Sequence, residues 1–321
     1  TREHNNTLIG IAKQILRELE DGHQVYLVEM GAYRKGEIKA LCKLTPPQMG
    51  MVTGLGTQHL GLFGSLANLA QAKYELIKSL PPSGQAFFNF DCPACLPLSQ
   101  RAFSQGLETI TFSTKDKAAS LYAREIKLKR KSVQFEIVWQ GEKKQFSAPL
   151  LGRQGISNLL GAIALGLKMD LPFPVIKKAI YRLATLSGTM ELAFGPRRVT
   201  LVNDSYNSNS EGVLAALEYL SVYQGQKVLC FQPLIELGEA TEKEHHRVLK
   251  KAAEVCQLIL LTNRNFYRII KEALPREERE KLVLIKSKRF FIKRLGPYFK
   301  KANVVLFSGR ETKKYFDLLK L

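Results

Sequence analysis

Apolar residues recur at helical spacing near the start of the chain. Leu8, Ile11, Ile15 and Leu19 in TLIGIAKQILRELE (7–20) fall on one face of a helix. QVYLVEMG (24–31) is a compact apolar run ending in an acid and a glycine, and it reads as a first strand. Residues 36–43 predict a short helix, and MGMVTGLG (49–56) a second buried strand. SLANLAQAKYELIKSL (65–80) is an amphipathic helix with Ser65 placed as its cap, and AFFNFD (86–91) is a third strand. Buried strands alternating with helices predict a parallel α/β sheet. The texture changes at about 108, where ITFST, REIKLKRKSVQFEIVWQ and KKQFSAPL predict an antiparallel meander, much of it alternating and basic. Helices are expected over 155–168 and 173–186, and Gly188 marks a hinge. RRVTLVND (197–204) opens a second series, with strands at 227–234, 257–262, 281–285 and 303–309. Helices at 211–223, 242–256, 264–274 and 288–301 separate them, which predicts a second, doubly wound unit. The boundary is expected near 188–194, giving domains of 1–190 and 191–321.

Length and composition agree with that division. A chain of 321 residues suits two domains. Hydrophobic residues at 45% and charged residues at 24% are near the globular average, which excludes wholesale disorder and fibrous classes. The balance of 48 Lys+Arg against 29 Asp+Glu, a net charge of +19, first suggests nucleic acid or an anionic substrate. No apolar run approaches the length of a membrane span, and the polar start lacks the pattern of a secretory signal. Five cysteines, an odd number, suggest reduced thiols and a cytoplasmic setting. The chain opens at Thr1 rather than Met, so a fragment or a processed chain is expected.

Four places put polar residues where an α/β fold builds its site, at the carboxyl ends of strands. Glu29 ends an apolar run, a costly place for an acid unless it works or is paired; a capping or salt-bridged acid explains it equally. His59 in GTQHLGLFGS (56–65) suits a metal or a phosphate, while a hydrogen-bonded loop histidine is the plainer reading. Lys73, within the helix at 65–80, reads by itself as a solvated surface group. NDSYNSN (203–209) holds Asp204, Tyr206, Asn207 and Asn209 in a strand-to-helix connection; a turn plus a helix cap also accounts for it.

The segments VEMGAYRKGEI, TGLGTQHLGLFGSLANLAQAKYELI, LLGRQGISNLLGAIALGL, LVNDSYNSNSEGVLAALEYL and PLIELGE, in this order, resemble the Mur ligase family, nearest its D-alanyl-D-alanine-adding branch. The likeness runs from about residue 5 to 310. It implies a central nucleotide-binding domain, truncated at its start, followed by a Rossmann-like C-terminal domain. It also implies an ATP-dependent amide ligase in peptidoglycan precursor synthesis. In that chemistry a substrate carboxylate attacks the γ-phosphate of ATP, and the acyl phosphate formed is attacked by an amine, with Mg²⁺ neutralising charge. By motif match Glu29, His59 and Lys73 are implied magnesium ligands, Lys73 as the family's carbamylated lysine. Asn158 matches the asparagine that reads the adenine. Asp204, Tyr206 and Asn207 match the segment that closes over the nucleotide, with Arg310 also on the nucleotide. Asn5 and Asn6 resemble the asparagine-rich segment before the first helix. The implied substrates are a UDP-MurNAc-peptide and D-Ala-D-Ala, handled by a cytoplasmic monomer without nucleic acid or membrane insertion.

The sequence also departs from the family. No G-x-x-x-x-G-K-[ST] phosphate loop occurs in the 321 residues, and no counterpart of the N-terminal UDP-sugar-binding domain is present. The family's arginine ahead of the C-terminal domain is Thr189. Its His-Asn pair is Gln154-Gly155, its Gly-Asp is Gln232-Pro233, and the lysine of its terminal Lys-Gly-Ser-Arg is Phe307. A catalytically silent relative acting as a binding or partner subunit is therefore the alternative. A ligase of the folate or cyanophycin type is disfavoured by DSYNSN and IELGE. Weaker signals carry bland readings. Cys92 and Cys95 form an isolated CxxC of structural use or chance. His245 and His246 in a charged helix are expected to be solvated. The basic segment 123–144 reads as a solvated sheet face or an attractor of a polyanionic substrate, and 291–301 as a basic surface helix.

Overall fold

The computed structural model describes residues 6–56, 60–206 and 209–321. Helix α1 (Leu8–Glu18) starts at Thr7, whose hydroxyl accepts the Gly10 N–H, and α2 (Glu37–Leu44) follows an extended stretch. Then come β1 (Met49–Val52), the single turn α3 (Leu60–Phe63) and α4 (Leu66–Lys78). Ser65 caps α4 by accepting the Asn68 N–H at 3.1 Å, as its sequence position implies. Strand β2 (Gln85–Asn89), helix α5 (Leu96–Ser104) and β3 (Glu108–Ser113) make a crossover unit, and β4 (Leu121–Leu128), β5 (Val133–Trp139) and β6 (Glu142–Ala148) complete a six-stranded sheet in sequential order. Two helices, α6 (Gln154–Lys168) and α7 (Phe173–Tyr181), cover one face of it. The other face packs on α2, α4 and α5.

The second sheet begins with β7 (Glu191–Phe194), antiparallel to β8 (Thr200–Asp204). After them come α8 (Ser210–Tyr219), β9 (Lys227–Phe231), α9 (Thr241–Val255), β10 (Leu258–Leu261), α10 (Tyr267–Ala273), β11 (Leu282–Leu284), α11 (Lys288–Leu295), β12 (Val304–Ser308) and α12 (Lys313–Leu319). Strand order is β11-β10-β9-β12-β8-β7, parallel except at β7. Alternation along the strands divides the core. Val202, Leu229, Ile259 and Leu306 face α8 to α10, while Leu201, Val228, Leu260 and Phe307 face α11 and α12. Burial on both faces explains why these strands read as continuous apolar runs.

Several expectations need correction. Among the described residues, 24–31 join no sheet and form no helix or strand, and Val25 and Leu27 are 56% and 72% exposed. A strand needs a ladder of hydrogen bonds to a neighbour, and neither sheet among the described residues supplies one to this segment, whose Gly31 N–H instead donates to the Asn6 carbonyl. The ITFST stretch belongs to the parallel part, because β3 returns through the α5 crossover and pairs parallel with β2; only β4, β5 and β6 form the meander. Helix α7 stops at Tyr181, and the exposure of Leu183 and Leu186 shows that a longer helix would have no face to bury. Helix α11 ends at Leu295, ahead of Gly296 and Pro297, which lacks the donor a further turn requires. Strand β8 begins only at Thr200, after a tight turn with Arg197 at φ 53°, and β7 was not legible as its hairpin partner.

Candidate functional site

Glu29 and Lys73 lie on two segments that pack together although 44 positions separate them. Met30 and Ala32 pack into the same apolar cluster as Leu69 and Ala72 of α4, which draws the extended segment against the helix that carries Lys73. The Gly31 N–H donates to the Asn6 carbonyl at 3.1 Å, and the Asn6 side-chain amide donates to Glu29 Oε1 at 3.3 Å. Gly31 is the residue that permits this, since a Cβ there would stand 2.8 Å from the Asn6 side chain. Lys73 is half-buried, not a solvated surface group. Burial pushes its ammonium below the usual lysine value, and the nearby Glu29 carboxylate partly opposes that shift. The two sequence-implied ligands Glu29 and Lys73 thus share one place, with Asn6 holding the carboxylate. His59, Asn207 and Asn5 lie outside the described residues. Among the described residues no three His, Cys, Asp or Glu side chains cluster as a metal site. A cation here would therefore rest on Glu29 and on oxygen donors the unmodified lysine does not have.

A second group gathers at the carboxyl ends of β8, β9 and β12. Asp204 closes β8, is 8% exposed, and accepts the Met190 N–H at 3.3 Å. Burial raises its carboxyl to about 7, and the Met190 hydrogen bond only partly offsets that. The Tyr206 N–H donates to the carbonyl of Gly188, and the Tyr206 carbonyl accepts from Arg310 Nε at 3.3 Å. The Asp204 carbonyl accepts the Gly309 N–H at 3.3 Å. So Asp204, Tyr206 and Arg310, three positions implied for the nucleotide, are brought together. Gly309 has φ 96°, and a Cβ on it would lie 2.6 Å from the Gln232 Cβ. Gly309→Ala is expected to lower stability by about 1–3 kcal/mol. A fall in the denaturant midpoint at constant slope would register it.

Asn158 is exposed on the second turn of α6 and makes none of these contacts. It belongs to the first unit, but the start of α6 reaches the second. Gln154 lies against Gly212 at the start of α8, and Arg153 pairs with Glu218 at 3.2 Å. The Tyr219 hydroxyl donates to the Arg130 carbonyl at 2.6 Å, a further tie between the units. Asn158 therefore stands one turn along a helix whose start abuts α8, rather than in the Asp204 cluster itself.

Two residues with structural roles at these sites escaped the sequence reading. Glu191 accepts from the Gly188 N–H (3.1 Å), Asn203 Nδ2 (3.0 Å) and Lys320 Nζ (2.8 Å), fastening the Gly188 turn to β8. The motif segment SGTMEL contains it, but nothing in its spacing marks it. His245 is fully buried instead of solvated. Its Nε2 accepts the Leu234 N–H at 3.1 Å and its Nδ1–H donates to the Thr241 carbonyl at 2.7 Å, so one neutral tautomer satisfies both. Burial holds its pKa below the usual histidine value. A concavity of about 810 Å³ opens elsewhere, beside β11, flanked by Arg264, Lys286, Lys293 and Arg294. Its side chains are none of the implied ligands. Among the described residues no helix is long and apolar enough to cross a membrane.

The model of the Mur ligase middle domain matches residues 1–166, and that of the Mur ligase glutamate ligase domain matches 190–311. The chain belongs to the Mur ligase family. A Synechocystis relative named UDP-N-acetylmuramoyl-tripeptide–D-alanyl-D-alanine ligase is 31% identical over 275 residues, covering 82% of this chain and 55% of the relative. A crystal structure of MurF from Acinetobacter baumannii superposes with a TM-score of 0.87 at 24% identity, over 99% of this chain and 69% of that one. MurF ligase from Thermotoga maritima in complex with ADP superposes at 0.82 with 20% identity, over 96% and 69%. At those identities the two structures attest the fold. The Mur ligase chain described here spans about half the length of the curated relatives it matches.

Proposed function

We propose that this chain forms the nucleotide- and cation-handling part of an ATP-dependent ligase that joins D-alanyl-D-alanine to a UDP-MurNAc-tripeptide. On this reading residues 1–190 are the central domain and 191–321 the C-terminal one. The observation that carries it is the packing of the segment that bears Glu29 onto the helix that bears the half-buried Lys73 in a Mur ligase chain. Burial favours the neutral amine, and only a neutral amine adds carbon dioxide to become a carbamate. The added oxygens would join the Glu29 carboxylate as hard donors suited to magnesium, with the His59 imidazole implied as a further ligand by motif match. A bound magnesium ion supplies charge neutralisation for phosphoryl oxygens. Asn158, Asp204, Tyr206, Asn207 and Arg310 would hold the nucleotide from both units. In-line attack of the tripeptide carboxylate on the γ-phosphate gives an acyl phosphate and ADP. The dipeptide amine then attacks the acyl carbon, and inorganic phosphate leaves. The residues' task is to hold these reactants in line and away from water.

The second reading, a Mur ligase relative that binds but no longer ligates, is favoured by Gln232. Its side chain accepts the Glu311 N–H at 2.9 Å and fills the space under Gly309, where the family has Gly-Asp. Phosphate release from ATP in the full polypeptide separates the two. The ligase reading expects release that requires both UDP-MurNAc-tripeptide and D-Ala-D-Ala. Release that ignores either substrate, or none at all, supports the silent relative.

A further inference from the structure

The turn that follows β2 holds an arrangement the ligase reading does not use. Cys92 and Cys95 bracket a single tight turn, with the Cys95 N–H donating to the Cys92 carbonyl at 2.9 Å. Such a turn keeps its end Cα atoms within about 7 Å, compatible with the roughly 4.4–6.8 Å that a disulfide spans. Cys95 is fully buried, and Cys92 is only half-buried. The Leu55 N–H donates to Cys92 Sγ at 3.3 Å. Leu55 sits in the loop after β1, and the Thr53 carbonyl of the same loop accepts from Asn89 Nδ2 at 2.8 Å. Cys92 therefore touches the loop that runs on towards His59.

We propose that Cys92 and Cys95 are a redox-active dithiol that a low-molecular-weight disulfide closes by exchange, and that the loop at 53–56 responds to its state. The Cys92 thiolate attacks one sulfur of the incoming disulfide, and one thiolate leaves. Cys95 then gives up its proton and attacks the mixed disulfide at Cys92 Sγ; the second thiolate leaves and takes a proton. Two protein thiols are oxidised and one external disulfide is reduced to two thiols. The environment favours this order. The Cys95 hydrogen bond and the N–H groups of Leu55, Ala94 and Cys95 push Cys92 down to about 6 against its burial, while Cys95 is raised. The other three cysteines, Cys42, Cys230 and Cys256, are buried. Closing the disulfide removes the Cys92 S–H that reaches the Leu55 carbonyl at 3.6 Å and leaves a weaker acceptor for the Leu55 N–H, which loosens that residue. This inference is independent of ligase activity.

The test treats the reduced, folded chain with oxidised glutathione, quenches with acid and maps the cysteines by peptide mass spectrometry. A Cys92–Cys95 disulfide with Cys42, Cys230 and Cys256 unmodified is expected, and Cys95→Ala should trap glutathione on Cys92. Amide exchange at Leu55 should quicken several-fold on oxidation and return on reduction. Unmodified Cys92, or glutathione left on Cys92 in the unsubstituted chain, overturns the dithiol. An unchanged Leu55 exchange rate overturns the coupling to the loop. Because the unsubstituted chain gives both readouts, misfolding of Cys95→Ala leaves the test intact.

Discussion

Lys73→Met is expected to abolish most ligation while leaving the fold intact or firmer. A methionine fills the same half-buried volume without the charge whose burial lowers the lysine pKa. Removing that desolvation cost should hold or raise the melting temperature. The variant cannot form a carbamate, so the oxygen donors proposed to stand with Glu29 are lost. Loss of charge neutralisation worth several kcal/mol implies a fall in kcat on the order of 10²–10³-fold. Lys73→Arg should fare no better, because a guanidinium stays protonated and does not carbamylate. Wild-type kcat in either variant would rule out a catalytic part for Lys73.

Asp204→Asn is expected to stabilise the protein at alkaline pH. The folded-state pKa, about 7, lies above the ordinary aspartate value of 3.8. Below the lower value both states carry the proton and nothing is lost. Between the two the unfolded chain ionises first, so stability falls as pH rises, and above about 7 the full cost is present. Asparagine is neutral throughout and avoids that cost. The gain above the folded pKa is about 2–4 kcal/mol, shrinking to nothing at low pH. Urea unfolding of both proteins at one acidic and one alkaline pH measures it, and an equal difference at both would refute the assignment. The same substitution removes the buried charge that ligand binding would compensate, so nucleotide affinity should drop as stability rises.

Much of the fold was legible because burial on both faces leaves continuous apolar strands, as in β9, β10 and β12. Other elements broke that correspondence in different ways. Residues 24–31 carry the apolar pattern of a strand, yet neither sheet among the described residues includes them. The strand β7, four residues long, contains Glu191, whose part in fastening Gly188 is a matter of three-dimensional neighbours. Among the candidate site residues, Glu29 and Lys73 were named by motif likeness, and the packing of Met30 and Ala32 with α4 supplies the physical reason their segments come together. Lys73 read from spacing alone looked solvated, because helical position does not reveal what an extended segment will later cover. His245 failed in the same way: its helix is highly charged, and only the Leu234 and Thr241 backbone partners show why a histidine is buried there. Asn158 and Asp204 sit in different units, so the joint role proposed for them depends on the α6–α8 contact that no linear motif encodes.

The most direct measurement is mass-spectrometric detection of the UDP-MurNAc-pentapeptide formed by the full polypeptide from UDP-MurNAc-tripeptide, D-Ala-D-Ala and Mg-ATP. The account predicts product in proportion to phosphate released, reduced on the order of 10²-fold or more by Glu29→Gln and by Lys73→Met. Absence of the pentapeptide while the folded protein still binds Mg-ATP, or product formation indifferent to both substitutions, would contradict it.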